Sequence, residues 1–484
     1  MKYVPLFGSG IASSSYPVTR QRRLNVYFEN RPDGDKTKIA CFGTPGLAYQ
    51  SISQYWAYAR GITSQEATSD VFGSGSFLYR VEGGNIRVYK IGGAENTVYA
   101  PFLTTSTGPV SMAASGTQVI AVDGTGGAYY DVSTSAYGPI TSGGFPNGAK
   151  TVTFCSGYFV CEQPGSQKFW VSNLFDGTTW NALAFASASQ YPDTIVAVDS
   201  LIGTLILFST THTEFWQNIG ATPEPFAPIL AATVEFGLAA IWSRAHVDNS
   251  LIALCVNRQG AAQVVQFSGY SAKVISTQDL DNLLSTFPSD IANGTALTYT
   301  VNGHPMYQLT FPTADTGVGR SFLYDTSTGL WGDAQTGTTA QAAARHIGQY
   351  STAVNGVNYI TDYQSGLMYA MDPNTFTDNG ATIEREVVSR HISTNFNVFS
   401  VDEVYLDMET GVGAGQVMMQ YSKDNGRTWS TERWVSIGDV GQYQQRVIWR
   451  QCGSARDFVF RFRMTDPYKF VITEAACSFR ERQQ

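Results

Sequence analysis

Tyr324-Asp325-Thr326-Ser327-Thr328-Gly329-Leu330-Trp331 is the stretch on which the reading of the fold turns. A tyrosine and an aspartate lead into small polar residues, and an aromatic closes the element. The aspartate can accept hydrogen bonds from the amides of its own turn, and the aromatic can cover the resulting hairpin. The pattern recurs as Tyr130-Asp131-Val132-Ser133-Thr134 and as Thr361-Asp362-Tyr363-Gln364-Ser365-Gly366-Leu367-Met368-Tyr369. Outward from these elements lies a loose repeat in which a hydrophobic strand, a turn and a second strand follow one another. Leading strands are expected at 75–81, 118–122, 151–159, 195–201, 251–256, 297–301 and 349–354, with starts about 33 to 56 residues apart. Gly83-Gly84-Asn85, Asp123-Gly124, Asn302-Gly303 and Asn355-Gly356 supply the φ > 0 residues of tight hairpins. Six or seven four-stranded units at a period near 45 residues point to a β-propeller, with a pair of β-sandwiches as the competing architecture.

Composition supports an all-β chain. Its 484 residues include 47 Gly, 26 Tyr and 28 Phe, and only 14% are charged. The longest candidate helix, 338–345, is short. Asn379-Gly380 marks a boundary, beyond which charge density rises and the strands alternate more cleanly. In Asp457-Phe458-Val459-Phe460-Arg461-Phe462-Arg463-Met464 the three phenylalanines fall on one face and both arginines on the other, the period of a half-buried antiparallel strand. Further long strands are expected at 400–409, 416–422, 446–451 and 470–479, which together make a β-sandwich. At the other end, residues 1–45 read as an extended arm. Leu24-Asn25-Val26-Tyr27-Phe28-Glu29 is a strand, and Arg31-Pro32-Asp33-Gly34 and Thr44-Pro45-Gly46-Leu47 are turns. The expected division is therefore an arm (1–45), a propeller-like domain (46–380) and a C-terminal sandwich (381–484).

The formal charge of −8 is unevenly placed. Residues 1–40 carry 7 basic and 3 acidic side chains, 381–484 carry 13 of each, and 41–380 carry 11 basic and 23 acidic. A body so poor in Lys and Arg does not hold nucleic acid tightly, since that affinity comes from phosphate neutralisation; it suits a passage from which DNA is repelled. The bland reading is ordinary solubilising charge. Cys41, Cys155, Cys161, Cys255, Cys452 and Cys477 form no CxxC motif and are expected to be buried thiols rather than a disulfide framework. No apolar run approaches the ~20 residues of a membrane helix, and no signal-peptide apolar region is evident. The protein is expected to be made in a cytoplasm and to leave it, if at all, inside a larger assembly.

The sharpest short motif is Ser422-Lys423-Asp424-Asn425-Gly426-Arg427-Thr428-Trp429, an Asp-box pattern resembling the hairpins of sialidases and other propeller glycosidases. Its physics is structural: Asp424 accepts turn amides, Gly426 takes φ > 0 and Trp429 packs on the hairpin. Phe175-Asp176-Gly177-Thr178-Thr179-Trp180 is a looser echo. A glycosidase needs two carboxylates flanking a sugar, and no pair stands out. Asp402 and Glu403 are strand neighbours expected to point to opposite faces. The five histidines lie far apart in sequence, and Gly124-Thr125-Gly126-Gly127 reads as a hairpin rather than a phosphate loop. No catalytic, cofactor-binding or metal-binding residue is singled out, and no cofactor is expected. Arg20, Arg22 and Arg23 are candidate partner contacts: an arm without its own core often orders by adding to another sheet. As a solvated patch they need no partner.

Leu24–Glu29 followed by Thr44-Pro45-Gly46-Leu47 resembles the opening of the tail hub, or nozzle, proteins of short-tailed bacteriophages, the packaged-DNA stabilisation proteins. Tyr324–Trp331, 361–372 and 450–468 are similar in character to later segments of that family. The resemblance implies a homohexameric ring distal to the portal and adaptor rings. Such a ring would continue the DNA channel, retain the genome with a plug or needle, contact double-stranded DNA transiently at ejection and present surfaces to tail fibres or spikes. It would be located in the virion tail after assembly in the host cytoplasm. The arm and 381–484 would form the ring platform and the propeller would project from it. This reading describes a structural protein and not an enzyme. The alternatives are a glycan-binding or sialidase-like propeller protein, with a carboxylate-lined axial pocket, and a generic propeller scaffold.

Overall fold

In the computed structural model the chain is described at residues 2–4, 11–32, 39–50, 58–67, 75–93, 96–188, 190–315, 317–338, 344–394 and 397–481. Seven small antiparallel sheets follow one another along it. The first runs through Ala59–Ala67, Gly75–Glu82, Asn85–Lys90 and Asn96–Tyr99, and the second through Ser111–Ala114, Gln118–Val122, Gly127–Asp131 and Tyr137–Pro139. The third contains Val152–Cys155, Tyr158–Glu162, Lys168–Asn173 and Asp176–Ser187; the fourth contains Ile195–Leu201, Thr204–Ser209, Thr213–Asn218 and Phe226–Pro228. The fifth centres on Ser250–Val256 and Ala262–Ser268, and the sixth contains Thr295–Val301, His304–Phe311, Arg320–Asp325 and Leu330–Thr336.

The seventh sheet borrows from the far end of the chain. Gly348–Val354, Val357–Asp362 and Met368–Asp372 are joined by Gly46–Gln50, which pairs antiparallel with Met368–Asp372. Gly46 lies so close to the Thr375 and Thr377 carbonyls that a Cβ would sit 2.7 and 2.4 Å from them. The Pro45-Gly46 dipeptide, expected to turn, therefore opens a strand, and glycine is needed for close approach rather than for a bend.

Strand alternation explains how the sheets pack into a propeller. Phe77, Tyr79 and Val81 of the first sheet face Val119, Ala121 and Tyr130 of the second. Leu78, between them, faces Val354, Tyr359 and Met368 of the seventh. The opposite face of the second sheet, Ile120 and Val122, meets Phe159 and Trp180 of the third. Each strand thus feeds two inter-blade cores through its period-2 pattern. The first and seventh blades are also tied at their innermost strands, where Ser64 Oγ lies 2.7 Å from Thr352 Oγ1.

The C-terminal sandwich encloses one large core, with Phe458, Phe460 and Phe462 all fully buried on one strand face as their alternation requires. One sheet orders Val26–Asn30, Ile39–Gly43, Val471–Glu481, Phe399–Met408 and Val447–Ala455. The other contains Arg385–Val388, Asp457–Met464, Gln416–Ser422 and Arg433–Ser436. The N-terminal arm is thus laid into the sheets of its own chain. Arg23–Leu24 pairs in parallel with Leu330–Thr336 of the sixth blade and antiparallel with Arg385–Val388, making one eleven-stranded sheet from blade to sandwich.

Several local expectations differ from the structure. The segment 151–159 is two strands, because Ser156 and Gly157 take φ 51° and 91° and form a hairpin turn. The strand 24–29 is broken at Asn25, φ 51°. Of the helix expected at 338–345, Ala344–Arg345 is a strand pairing with Gln335 and Thr336, and 339–343 lie outside the described residues. The α-helix of the described residues is instead Gln278–Leu284, where the Thr277 hydroxyl accepts from Leu280 N and Leu280 and Leu284 enter the core. Asn379-Gly380, expected as a boundary, is the hairpin between Thr377–Asp378 and Ala381–Thr382 within the seventh sheet. Asp33 and Gly34 of the expected turn lie outside the described residues. All six cysteines are buried and none forms a disulfide.

Candidate functional site

The joint between arm, sixth blade and sandwich holds the densest polar network of the chain. Asn25 is its keystone. Its left-handed backbone breaks the arm strand, a conformation asparagine tolerates better than most residues. The Asn25 amide, 2% exposed, donates to the carbonyls of Gln335 and Glu384 (2.9 and 2.8 Å) and accepts from Gln335 N (3.0 Å). One side chain thereby satisfies backbone groups of both the blade and the sandwich entry.

Arg22 lies alongside. Its Nε is 3.1 Å from Asp333 Oδ2 and its Nη1 is 3.4 Å from Glu386 Oε1. Burial works against the charge of Arg22, but Glu386 and Asp333 outweigh it and hold the guanidinium above its ordinary pKa. Glu386 also faces Arg461 (3.9 Å), and Arg463 pairs with Glu384 (3.1 Å) and with Glu432. Arg461 stacks over Trp429, 4.4 Å to the ring centroid. Arg23 is 2% exposed, lies over Phe28 (4.6 Å) and donates to Trp331 O (3.4 Å); burial lowers its pKa to about 10.

The Asp-box hairpin closes the same region. Asp424 accepts from Thr428 Oγ1 (2.5 Å), Thr428 N (2.9 Å), Ser422 Oγ (2.7 Å) and Arg427 N (3.1 Å), and these bonds, Thr428 first, lower its pKa to about 2. Gly426, φ 81°, carries the arm: a Cβ there would lie 2.3 Å from Arg20 Cγ, and Arg20 Nε donates to its carbonyl at 3.4 Å. Arg20 also covers Tyr16 (4.6 Å), whose carbonyl is 3.0 Å from His391 Nε2, while His391 Nδ1 is 2.5 Å from Asp457 Oδ2. The structure therefore brings Arg20, Arg22, Arg23, Asp424, Gly426 and Trp429 into one joint, a gathering that their separate motifs do not announce. Glu384-x-Glu386 facing Arg461-x-Arg463 carried a usable signal, since both pairs have strand spacing. Asn25 and His391 gave none.

Elsewhere the turn aspartates behave as their pattern requires: Asp131 accepts from Ser133 N and Thr134 N, Asp325 from Ser327 N, and Asp362 from Gln364 N and Ser365 N. Asp123 does the same for Thr125 N and Gly126 N. Asp402 and Glu403 do not take opposite faces. A register shift at Val401/Glu403 turns both to solvent, where they pair with Arg480 and Arg450. On the propeller axis a cavity of about 440 Å³ has no carboxylate among its described lining residues. The neighbouring Asp199 is committed to Arg244 (2.7 Å) and His246 (2.9 Å). Among the described residues no group of three His, Cys, Asp or Glu is placed to hold a metal, and no helix is long and apolar enough to cross a membrane. The joint connects elements; it contains no nucleophile–base constellation.

Among solved structures, the chain is similar to the extracellular domain of a one component system from B. thetaiotaomicron at 9% identity (TM-score 0.43), covering 83% of this chain and 48% of that one. It is also similar to the computationally designed Ika8 protein at 11% identity (TM-score 0.38; 77% and 99% covered) and to a chain of the Mitotic Checkpoint Complex at 10% (TM-score 0.41; 71% and 95% covered). At these scores the likenesses carry no argument. No curated protein matches. Family models do. The model described as Bacteriophage P22 Gp10, beta-propeller, matches residues 50–376, and that described as Bacteriophage P22 Gp10, beta-sandwich, matches residues 384–479. With a seven-sheet propeller fused to a sandwich and both models matched over nearly its whole length, the chain belongs to the bacteriophage P22 Gp10 family of short-tailed phage tail proteins.

Proposed function

We propose that this tail protein is the ring-forming hub, or nozzle, below the portal and adaptor rings: a homohexamer that extends the DNA channel, helps retain packaged DNA and conducts it at ejection. The observation that carries the reading is the eleven-stranded sheet running from the sixth blade through Arg23–Leu24 into the sandwich. A sheet continuous across two folding units transmits load through backbone hydrogen bonds, which suits a structural member under pressure and not a hinged enzyme. In this reading residues 1–45 and 381–484 form the ring platform and 46–380 the projecting propeller. Adaptor proteins, tail fibres or spikes, and a plug or needle are its partners, double-stranded DNA passes transiently, and assembly takes place in the host cytoplasm before the subunit joins the virion. The acidic balance of 41–380 supports a passage that does not trap DNA. Arg22 and Arg23 lock the platform internally, and Arg20, half-buried beside the Asp-box hairpin, is the arm residue assigned to partner contact.

Electron microscopy of the purified protein, alone and mixed with adaptor–portal complex, tests this. Closed six-fold rings, or added density at the distal end of the adaptor, are expected. Isolated discs in both samples would overturn it.

A further inference from the structure

One face of the third and fourth blades carries an apolar cluster that the fold holds at a conformational cost. Leu174, Phe175 and Ile202 are 55, 58 and 76% exposed. They stand on neighbouring turn tips. Gly157 lies beneath Leu174 and Phe175, Phe175 N donates to Gly157 O (2.7 Å), and Ser156 Oγ donates to Gly203 O across the blade boundary (3.3 Å). Phe175 and Ile202 both have positive φ, 55° and 48°. The chain supplies its own control. The equivalent first turns of the other blades place Ser156, Asp248, Asn302 and Asn355 at φ 51, 50, 48 and 52°. These polar residues are ordinary there, whereas a β-branched side chain in that region is an outlier. An exposed isoleucine at this position lowers both solubility and stability, so it marks a contact. The nearest carboxylate, Asp176, is turned back onto Thr178 N and Oγ1 (2.9 and 2.6 Å), leaving the cluster without a free charge.

A complementary hollow lies across the ring. Between the seventh and first blades a pocket of about 390 Å³ is walled by Tyr58, Pro109, Tyr350 and Tyr363. Its arginines are occupied: Arg60 donates to the carbonyls of Gly83, Thr105, Thr107 and Gly108, and Arg345 stacks on Tyr363 at 3.5 Å. The pocket thus offers aromatic surface rather than spare charge. Strand direction puts the two features on opposite faces. First-to-second and third-to-fourth turns, which carry the cluster, emerge on one face. Second-to-third turns and blade-to-blade links, which build the pocket, emerge on the other.

We infer that the Leu174–Phe175–Ile202 cluster of one copy docks into the Tyr58–Tyr350–Tyr363 pocket of a second copy of this chain. A contact between two different surfaces of one molecule is heterologous, so it propagates head to tail and closes into a ring when the rotation allows. The inference rests on the ring-forming reading above and locates one of its interfaces.

The test compares full-length wild type with the double variant Phe175→Ser/Ile202→Asn and with Thr107→Arg, which puts a charged side chain at the pocket mouth from an exposed position. Assembly is followed by analytical ultracentrifugation and electron microscopy, and stability by thermal melts. Asn is at home at φ 48°, so the double variant is expected to melt no lower than wild type while needing at least tenfold more protein for half-assembly; Thr107→Arg is expected to do the same. Wild-type rings with unchanged rings in both variants overturn the inference and leave the hub reading standing. Absence of wild-type rings in every sample sinks both. Unchanged rings with lost binding to the adaptor–portal complex, or to phosphatidylethanolamine–phosphatidylglycerol vesicles, overturn the inference and assign the cluster to that occupant instead.

Discussion

Replacing Asn25 with alanine removes three buried hydrogen bonds at once and leaves Gln335 N, Gln335 O and Glu384 O without those partners. At about 1 kcal/mol each the bonds amount to about 3 kcal/mol. Holding an alanine at φ 51° adds about 1 kcal/mol, because its Cβ approaches the following carbonyl. Asn25→Ala is therefore expected to cost about 4 kcal/mol. Asn25→Gly loses the same bonds without the backbone penalty and is expected to be milder by about 1 kcal/mol. Asn25→Asp keeps the acceptor for Gln335 N but sets a carboxylate against two carbonyls, so its defect should grow as the pH rises above about 4. The assay is equilibrium urea unfolding followed by tryptophan fluorescence and circular dichroism. The midpoint of the first transition is compared, since a chain of two folding units need not unfold in one step. A loss below about 1 kcal/mol for Asn25→Ala, or a glycine variant no better than alanine, would refute the keystone argument.

Other perturbations probe separate parts of the structure. Gly46→Ala drives a Cβ into the Thr375 and Thr377 carbonyls and is expected to cost about 1–3 kcal/mol in a thermal melt by lifting Gly46–Gln50 off the seventh blade; an unchanged melting temperature would contradict that closure. The bond to Asp457 raises the pKa of His391, so the anchorage of the Tyr16 turn is fully present below about pH 6.5 and is lost as pH rises through the raised value. Hydrogen exchange at residues 13–20 should then quicken with pH beyond the intrinsic rate, and equal protection in His391→Phe would contradict it. Glu162 is 1% exposed, and burial pushes its pKa up to about 7 against the bonds from Thr151. Its folded form prefers the proton, so stability falls by about 3 kcal/mol between pH 4.5 and 7, and Glu162→Gln should flatten that slope in urea titrations. Gly426→Ala is expected to displace Arg20 and expose the 13–20 turn to protease at an unchanged melting temperature of the propeller.

Most strands were legible because both of their signals are local. Period-2 alternation fixed Asp457–Met464 and Ile195–Leu201 to the residue, and Asn-Gly pairs placed the turns at 302–303 and 355–356. What escaped is what depends on distant partners. Nothing in Thr44-Pro45-Gly46-Leu47 reveals a strand whose neighbours lie more than 300 residues later, and Pro-Gly argues locally for a turn. Asn25 looks like one residue of a continuous strand, because a left-handed break held by contacts with Gln335 and Glu384 leaves no periodic trace. Four histidines, isolated in sequence, each meet an aspartate in space: His212 with Asp193, His246 with Asp199, His304 with Asp325 and His391 with Asp457. The helix Gln278–Leu284 is too short for periodicity to betray it and is fixed by its cap and two buried leucines.

The pairing of Gly46–Gln50 with Met368–Asp372 has a parallel in the sandwich, where Ile39–Gly43 pairs with Val471–Glu481. Both sheets are finished by strands from opposite ends of the polypeptide. During synthesis the early segments must wait, exposed, until the last strands leave the ribosome, and contacts of such sequence separation form slowly. The same connectivity acts as proofreading. A chain terminated before residue 471 has an open seventh blade when it ends early enough, and in every case an incomplete platform sheet. Only a finished chain can present the paired edges on which a multi-subunit tail would be built, so the fold itself keeps defective products out of the particle.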